Sequence, residues 1–164
     1  MPIKRILVPV DFSSSSLLAL DYAIDFAKPF EAEIIVLFVV EPVVYATPAD
    51  LYGASADLGM VLKEQERGGR EQLASLQKRL QSRYSRLRTL MQTGTPFLSI
   101  AETAKRQKAE LIIMATHGRT GLSHLFLGSV AEKVVRTAVC PVLTIPARKA
   151  PRRKPARSKP AGKR

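Results

Sequence analysis

One short segment constrains the fold of this chain more than any other, the apolar run AEIIVLFVV at 32–40. The run is too continuous for a strand with one face in water, and it is short for a helix. Strands that are buried on both faces have this composition, and they are typical of parallel sheets covered by helices on both sides. The segment therefore predicts an α/β architecture.

Further apolar runs alternate with segments of helical spacing. We predict five strands, at 5–10, 32–40, 86–94, 109–116 and 140–145. We predict helices from the DFSSSS stretch to Pro29, at roughly 58–83 with Gly68 and Gly69 as a weak point, from Pro96 after a Thr95 N-cap, and at about 129–138. Regular alternation of this kind predicts an α/β domain with an open, Rossmann-like parallel sheet and helices on both faces.

The net charge of +12 is concentrated at one end of the chain. The last 18 residues, 147–164, hold nine of the 26 Lys and Arg and none of the 14 acids, which leaves +3 for residues 1–146. This segment contains no apolar residue larger than alanine or proline, so it cannot bury enough surface to offset the entropy of ordering it. We therefore expect a folded domain at 1–146 and a disordered basic tail at 147–164.

Several protein classes fit this sequence poorly. No apolar run approaches the roughly 20 residues that span a bilayer, and the N-terminus turns acidic too soon for a secretory signal, so we expect a soluble cytoplasmic protein. The single cysteine, Cys140, excludes an internal disulfide framework and a cysteine metal cluster. The fingerprints of P-loop and dinucleotide-binding enzymes are absent from the sequence.

The segment MATHGRTGLSHLFLGSV at 114–130 follows the fourth predicted strand, at the sheet edge where ligands of open α/β proteins bind. Gly118 and Gly121 allow the backbone to approach a ligand, Arg119 supplies a cation, and Gly128 with Ser129 opens a helix whose N–H groups favour an anion. The alternative is a capping box between Ser129 and Glu132, which would satisfy the same helix end without a ligand.

Two histidines lie in the same segment. His117 and His124 have no cysteine and no convincing carboxylate at metal-ligand spacing, so we expect His117 to shape the loop rather than act as a base or a metal ligand. Ser123 beside His124 does not make a catalytic triad, because adjacent residues do not hold a nucleophile against its base. The other unusual connection, 41–57, is long enough to be a lid, an interface or a disordered loop.

Three stretches resemble the universal stress protein family, and together they extend the resemblance over essentially all of 1–146. They are ILVPVDFSSSS at 6–16, FVVEP at 38–42 and HGRTGLSHLFLGSVAEKVVRTAVCPVLTIP at 117–146. Nucleotide-binding members of that family carry the pattern G-2x-G-9x-G-[ST]. Here Gly118, Gly128 and Ser129 match it in register, and the first position is Ala115 instead of glycine.

The resemblance implies a sheet of order 3-2-1-4-5, a homodimer through the last strand (Pro141 to Ile145) and, in one branch, bound ATP with any Mg²⁺ that bridges its phosphates. It implies that Asp11 lies near the ribose and adenine and that Val39 lies against the adenine. It places Ala115 and Gly118 along the phosphates, and Ser129 with Val130 at the phosphate-binding helix start. The full set of expected cofactor-binding residues is Val10, Asp11, Val39, Ala115, His117, Gly118, Arg119, Gly121, Gly128, Ser129 and Val130.

Two of these residues have simpler explanations, because Asp11 can cap the first helix and Val39 can be ordinary core. Ala115 adds only a methyl group, but it would be strained by roughly 1 kcal/mol if its position required a positive φ.

Three functions remain open at this stage. The first is an ATP-binding stress-response module that works as a dimer and hydrolyses ATP slowly at most. The second is a nucleotide-free dimeric interaction protein of the same family, which Ala115 favours. The third is nonspecific binding of nucleic acid or another polyanion by the tail, which would weaken steeply with salt.

Overall fold

A computed structural model describes residues 3–42, 55–117 and 128–146 of the chain. The strands are β1 Arg5–Val10, β2 Glu33–Val40, β3 Leu87–Thr93, β4 Leu111–Ala115 and β5 Val142–Ile145. The helices are α1 Ser14–Ala27, α2 Ser55–Gln81, α3 Pro96–Arg106 and α4 Ser129–Thr137, with a 3-10 turn at Lys28–Phe30. Every predicted strand and helix is confirmed, with ends that differ by a few residues.

The five strands form one parallel sheet in the order β3-β2-β1-β4-β5. The predicted fold class and the order implied by the family resemblance are both confirmed. Because β1 pairs with β4, the chain segments that follow these two strands leave the sheet side by side. That edge, where the strands end, is called the carboxyl edge below, and the opposite edge is called the amino edge.

The sheet separates two apolar layers. On one face, Val8 and Val36 pack with α1 and α2, and on the other face Leu7 and Leu37 pack with α3 and α4. Successive residues of β1 and β2 point into opposite layers, and both faces are buried, which explains the continuous apolar runs in the sequence. Within the described ranges, no helix is both long and apolar enough to cross a membrane.

Helix α2 runs unbroken through Gly68 and Gly69, so the predicted weak point does not interrupt it. The two glycines differ in their surroundings. A Cβ at Gly68 would meet nothing within 4 Å, whereas a Cβ at Gly69 would lie 2.6 Å from Cε1 of Phe38 on β2. Gly69 therefore permits close packing of α2 on the sheet, at the cost of about 1 kcal/mol in helix propensity.

Candidate functional site

The first part of the candidate site is the turn between β1 and α1. Ser13 is the N-cap of α1, and its Oγ accepts the Ser16 N–H at 3.2 Å. Asp11 is not the cap. Its Oδ1 accepts the Ser13 N–H at 3.0 Å and the Ser13 hydroxyl at 2.6 Å. The Asp11 carboxylate is therefore held at the carboxyl edge by the residue that starts the helix.

Phe12 sits between these two residues with a φ of +62°, in the left-handed region that bulky side chains rarely occupy. Such a residue costs on the order of 1–2 kcal/mol in local strain. Its ring packs against Phe38, with the ring centroids 4.8 Å apart and the planes tilted by 51°. Aromatic packing offsets part of the backbone strain and holds the turn that carries Asp11.

The second part of the site is the end of β4. Ala115 is 8 % exposed, pairs with Ile145 of β5, and is not among the described residues with positive φ. The strain expected for an alanine at this position is therefore absent. Thr116 follows, and its Oγ1 lies 2.7 Å from Nδ1 of His117. This contact links the His117 ring to the side chain of Thr116 at the end of β4, as a loop-shaping role requires.

Gly128 closes the site from the other side of the segment. Its N–H donates to the Thr116 carbonyl at 2.7 Å, and a Cβ at this position would lie 2.8 Å from the same oxygen. Its φ is −60°, so the glycine serves close approach and not left-handed backbone. Gly128 thereby brings the start of α4 against the end of β4.

This contact rules out the alternative explanation, a capping box between Ser129 and Glu132. Gly128 is the N-cap of α4 and makes no side-chain cap bond, and Ser129 is the first residue of the helix. The physical reason is the non-local bond from the Gly128 N–H to the Thr116 carbonyl, which makes Gly128, and not Ser129, the N-cap. Glu132 instead pairs with Arg136 one turn on, at 3.0 Å.

The N–H groups at the start of α4 point toward the carboxyl edge. The first intrahelical bond runs from the Glu132 N–H to the Gly128 carbonyl at 2.9 Å, so the helix supplies no acceptor to the N–H groups of Ser129, Val130 and Ala131. Ser129 is also exposed. A helix start of this kind attracts an anion through its donors and its dipole.

The three remaining apolar candidates are divided between the two faces of the sheet. Val10 is 5 % exposed and belongs to the core under α1 and α2. Val39 and Val130 are half-buried and pack against the core under α3 and α4. The end of β2 and the start of α4 therefore border the same apolar layer, and Val10 contributes its side chain to packing in the other.

Three candidate residues, Gly118, Arg119 and Gly121, lie outside the described residues, as do His124 and most of the 41–57 connection. In the ranges the structure describes, no group of three or more His, Cys, Asp or Glu residues is placed to hold a metal ion. Cys140 is half-buried, and burial raises the pKa of its thiol. A thiol of this kind is a poor nucleophile at neutral pH.

Comparison with known proteins agrees with the fold. The model of the universal stress protein family matches residues 2–146. The chain belongs to this family. A universal stress protein of Methanocaldococcus jannaschii is 39 % identical over 147 residues, which cover 89 % of this chain and 84 % of the relative.

Solved structures of the family share the architecture. The universal stress protein UspA of Lactobacillus plantarum is 26 % identical with a TM-score of 0.77, and the match covers 88 % of this chain and 99 % of that one. A universal stress protein of Archaeoglobus fulgidus, solved in complex with dAMP, is 19 % identical with a TM-score of 0.62 over 88 % and 98 % of the two chains. At that identity the second likeness concerns the fold alone.

Sequence reasoning missed two features of this edge. The positive φ of Phe12 has no sequence signal, because phenylalanine is among the residues least suited to that conformation. The close approach of Phe38 to Gly69 was also missed. It did have a signal, because a glycine inside a helix can mark a place where a neighbour packs closely.

Proposed function

We propose that this universal stress protein binds ATP, or a closely related adenine nucleotide, at the carboxyl edge of its sheet. The observation that carries the proposal is the start of α4, where Gly128 presses on the Thr116 carbonyl and the N–H groups of Ser129 and Val130 have no acceptor within the helix. Phosphate is the ligand that such a helix start binds best.

The neighbouring strand ends supply groups for the rest of the nucleotide. The Asp11 carboxylate follows β1, and β1 pairs directly with β4, so we assign the ribose to the neighbourhood of Asp11 and the phosphates to the start of α4. Val39, half-buried at the end of β2, offers an apolar surface to the base. The dAMP complex of the Archaeoglobus fulgidus relative supports an adenine nucleotide as the ligand class.

Ala115 is compatible with this ligand. The residue has ordinary strand backbone and pairs with β5, so its methyl group adds volume without strain. The nucleotide-free alternative therefore loses the backbone strain that favoured it, and it becomes the outcome of a failed binding experiment.

Calorimetric titration of Mg-ATP into the full chain tests the proposal, at a salt concentration that screens the basic tail. We expect saturable micromolar binding that Gly128→Ala weakens, because the added Cβ displaces the helix start from Thr116. Gly68→Ala is the matched control, since a Cβ there meets nothing within 4 Å, and it should leave the affinity unchanged. Absence of saturable heat at millimolar ATP, or equal binding by all three chains, would contradict the proposal.

We also propose that the cytoplasmic form of the protein is a dimer paired through β5. The Thr116 N–H donates to the Ile145 carbonyl and the Ile112 N–H to the Pro141 carbonyl. Because successive residues of a strand direct their backbone groups to opposite sides, Val142 and Thr144 point theirs away from β4. The strand also exposes Leu143 (38 %), and unprotected apolar edges of this kind invite pairing.

Sedimentation of Thr144→Pro tests the dimer. Proline removes an N–H that points away from β4, so the variant should sediment as a monomer while the wild-type chain sediments as a dimer. Thr144→Val, which keeps the N–H, should remain dimeric. A wild-type monomer, or an unchanged Thr144→Pro dimer, would overturn this part of the proposal.

The basic segment 147–164 is proposed to be a separate appendage that contacts polyanions through its nine Lys and Arg. Its affinity for RNA should fall steeply with salt, because binding releases counterions. Removal of the residues after Ala147 should abolish RNA binding, and RNA binding that survives this removal would refute the assignment.

A further inference from the structure

Phe12 differs from the other described non-glycine residues with positive φ, Glu31 and Lys108. Glu31 closes the 3-10 turn, and the Lys108 N–H bonds to the Lys105 carbonyl just after α3. Residues that end a helix commonly adopt this conformation. Phe12 precedes the N-cap of α1 instead, so helix termination does not explain its backbone.

The Phe12 ring packs on a side chain that is not itself a candidate ligand-binding residue. It packs on Phe38, which belongs to the layer under α1 and α2, whereas the neighbouring Val39 belongs to the opposite layer. Phe38 in turn lies against α2 at Gly69, where a Cβ would be 2.6 Å from Phe38 Cε1 and 3.3 Å from Met91 Sδ. The space at Gly69 is thus shared by the Phe38 ring and a second apolar side chain.

We propose that Gly69, Phe38 and Phe12 form a packing relay that positions the Asp11 carboxylate for the ligand. The three are positioning residues, because Gly69 and Phe38 act on the ligand only through the turn. The inference rests on the nucleotide site proposed above, and it adds that the packing of α2 on the sheet controls affinity at the carboxyl edge.

The relay works through steric contact. A methyl group at residue 69 displaces the Phe38 ring, since the clash is with the ring edge and the Met91 sulfur leaves little room beside it. Displacement of Phe38 removes the surface on which Phe12 packs. The left-handed turn then relaxes, and Asp11 moves because its Oδ1 is bonded to both the N–H and the hydroxyl of Ser13.

The test uses the full chain with the variants Gly69→Ala and Gly68→Ala, and two probes, Mg-ATP and inorganic tripolyphosphate. Both substitutions add one methyl to adjacent positions of the same helix and gain similar helix propensity. We expect Gly69→Ala to weaken ATP binding about fivefold and to leave tripolyphosphate binding unchanged. Gly68→Ala should bind both probes with the wild-type affinity. Tripolyphosphate lacks the ribose, so displacement of Asp11 should weaken ATP binding alone. A general loss of structure would weaken the binding of both probes.

A double-mutant cycle with Asp11→Asn shows whether the relay acts through Asp11. If it does, Gly69→Ala has little further effect on ATP affinity once Asp11→Asn is present. Additive losses would overturn the inference, as would equal behaviour of Gly68→Ala and Gly69→Ala. Phe38→Leu is a second variant that removes the ring without adding volume to α2, and it should reproduce the selective loss of ATP affinity.

Failure of the nucleotide proposal is distinguishable from failure of the relay. If the wild-type chain binds no ATP, the proposed function fails, and amide hydrogen exchange then decides the relay. Exchange at the Ser13 and Ser16 amides, which are bonded within the turn, should be faster in Gly69→Ala than in Gly68→Ala. Equal exchange rates in the two variants would overturn the relay.

Discussion

The two edges of the sheet differ in how their polar and charged groups are held. At the amino edge, charged side chains pair with one another across neighbouring strands. The Arg5 guanidinium lies 4.0 Å from Glu110 Oε1, and the same carboxylate accepts the Arg5 backbone N–H at 2.6 Å. Arg88 Nε donates to Glu33 Oε1 at 2.6 Å. At the carboxyl edge, a strained phenylalanine, a glycine pressed on a carbonyl and an open helix start lie at the ends of β1 and β4.

The contrast supports the proposed binding role of the carboxyl edge. At the amino edge Glu110 and Glu33 bond to Arg5 and Arg88, although the buried Arg5 Nε has no hydrogen-bond partner among the described residues, so these pairs contribute to stability. The carboxyl edge carries local costs that folding alone does not require, and sparsely populated backbone conformations of this kind cluster at functional sites. Substitutions at the carboxyl edge should therefore change stability and ligand binding together, whereas substitutions at the amino edge should change stability alone.

The largest effect is expected for Ser13→Ala at the carboxyl edge. The substitution removes the N-cap of α1 and should cost about 1–2 kcal/mol in the free energy of unfolding. It also removes the hydroxyl that donates to Asp11 at 2.6 Å, so ATP affinity should fall as well. Urea unfolding and calorimetry measure the two effects.

Ser14→Ala is the matched control, because Ser14 is the exposed first residue of the same helix. It should leave both quantities near the wild-type values. A Ser13→Ala chain that loses stability but keeps full ATP affinity would break the proposed link between this turn and the ligand.

A smaller effect, confined to stability, is expected for Tyr84→Phe near the amino edge. The Tyr84 hydroxyl donates to the Ala32 carbonyl, and loss of this bond should cost about 1 kcal/mol in the free energy of unfolding. ATP affinity should be unchanged. A change in affinity would show that the two edges are coupled.

The same tyrosine gives a pH dependence. Burial raises the pKa of Tyr84 above its usual 10.0 in the folded protein. As the pH rises, the unfolded chain therefore loses this proton before the folded protein does. The stabilisation is fully present below the pKa of the unfolded chain and is lost as the pH rises through the higher pKa of the folded protein. Urea midpoints should fall more steeply at alkaline pH for the wild-type chain than for Tyr84→Phe, and parallel curves would contradict the assignment.

The smallest effect is expected for Glu33→Gln at the amino edge. The pair with Arg88 is more than one-third exposed on each side, so its loss should cost about 0.5 kcal/mol or less after solvent screening. The difference from the wild-type chain should shrink further in high salt. A cost above that of Tyr84→Phe would show that the charge pairs of this edge contribute more than screened surface pairs do.

Much of the fold could be predicted because it depends on local patterns. The run around Val36 predicted a strand buried on both faces, and Thr95 with Pro96 predicted the start of α3. Both predictions are confirmed, because apolar periodicity and helix starts are encoded in neighbouring residues.

The details of the candidate site depend on contacts between distant residues, and sequence patterns do not encode them. The capping box at Ser129 was wrong because Thr116, which lies far back along the chain, sets the helix start through Gly128. The turn at Phe12 depends on Phe38 of the next strand. These two turns are the places where local sequence preference and observed structure disagree, as is expected at functional sites.

The most direct measurement is residue-resolved amide hydrogen exchange of the full chain with and without Mg-ATP. Binding at the carboxyl edge should slow exchange at Ser129 and Val130 and in the turn from Asp11 to Ser13, and leave amino-edge amides such as Arg5 unchanged. Protection at the amino edge, or protection confined to 147–164, would contradict a nucleotide site at the carboxyl edge.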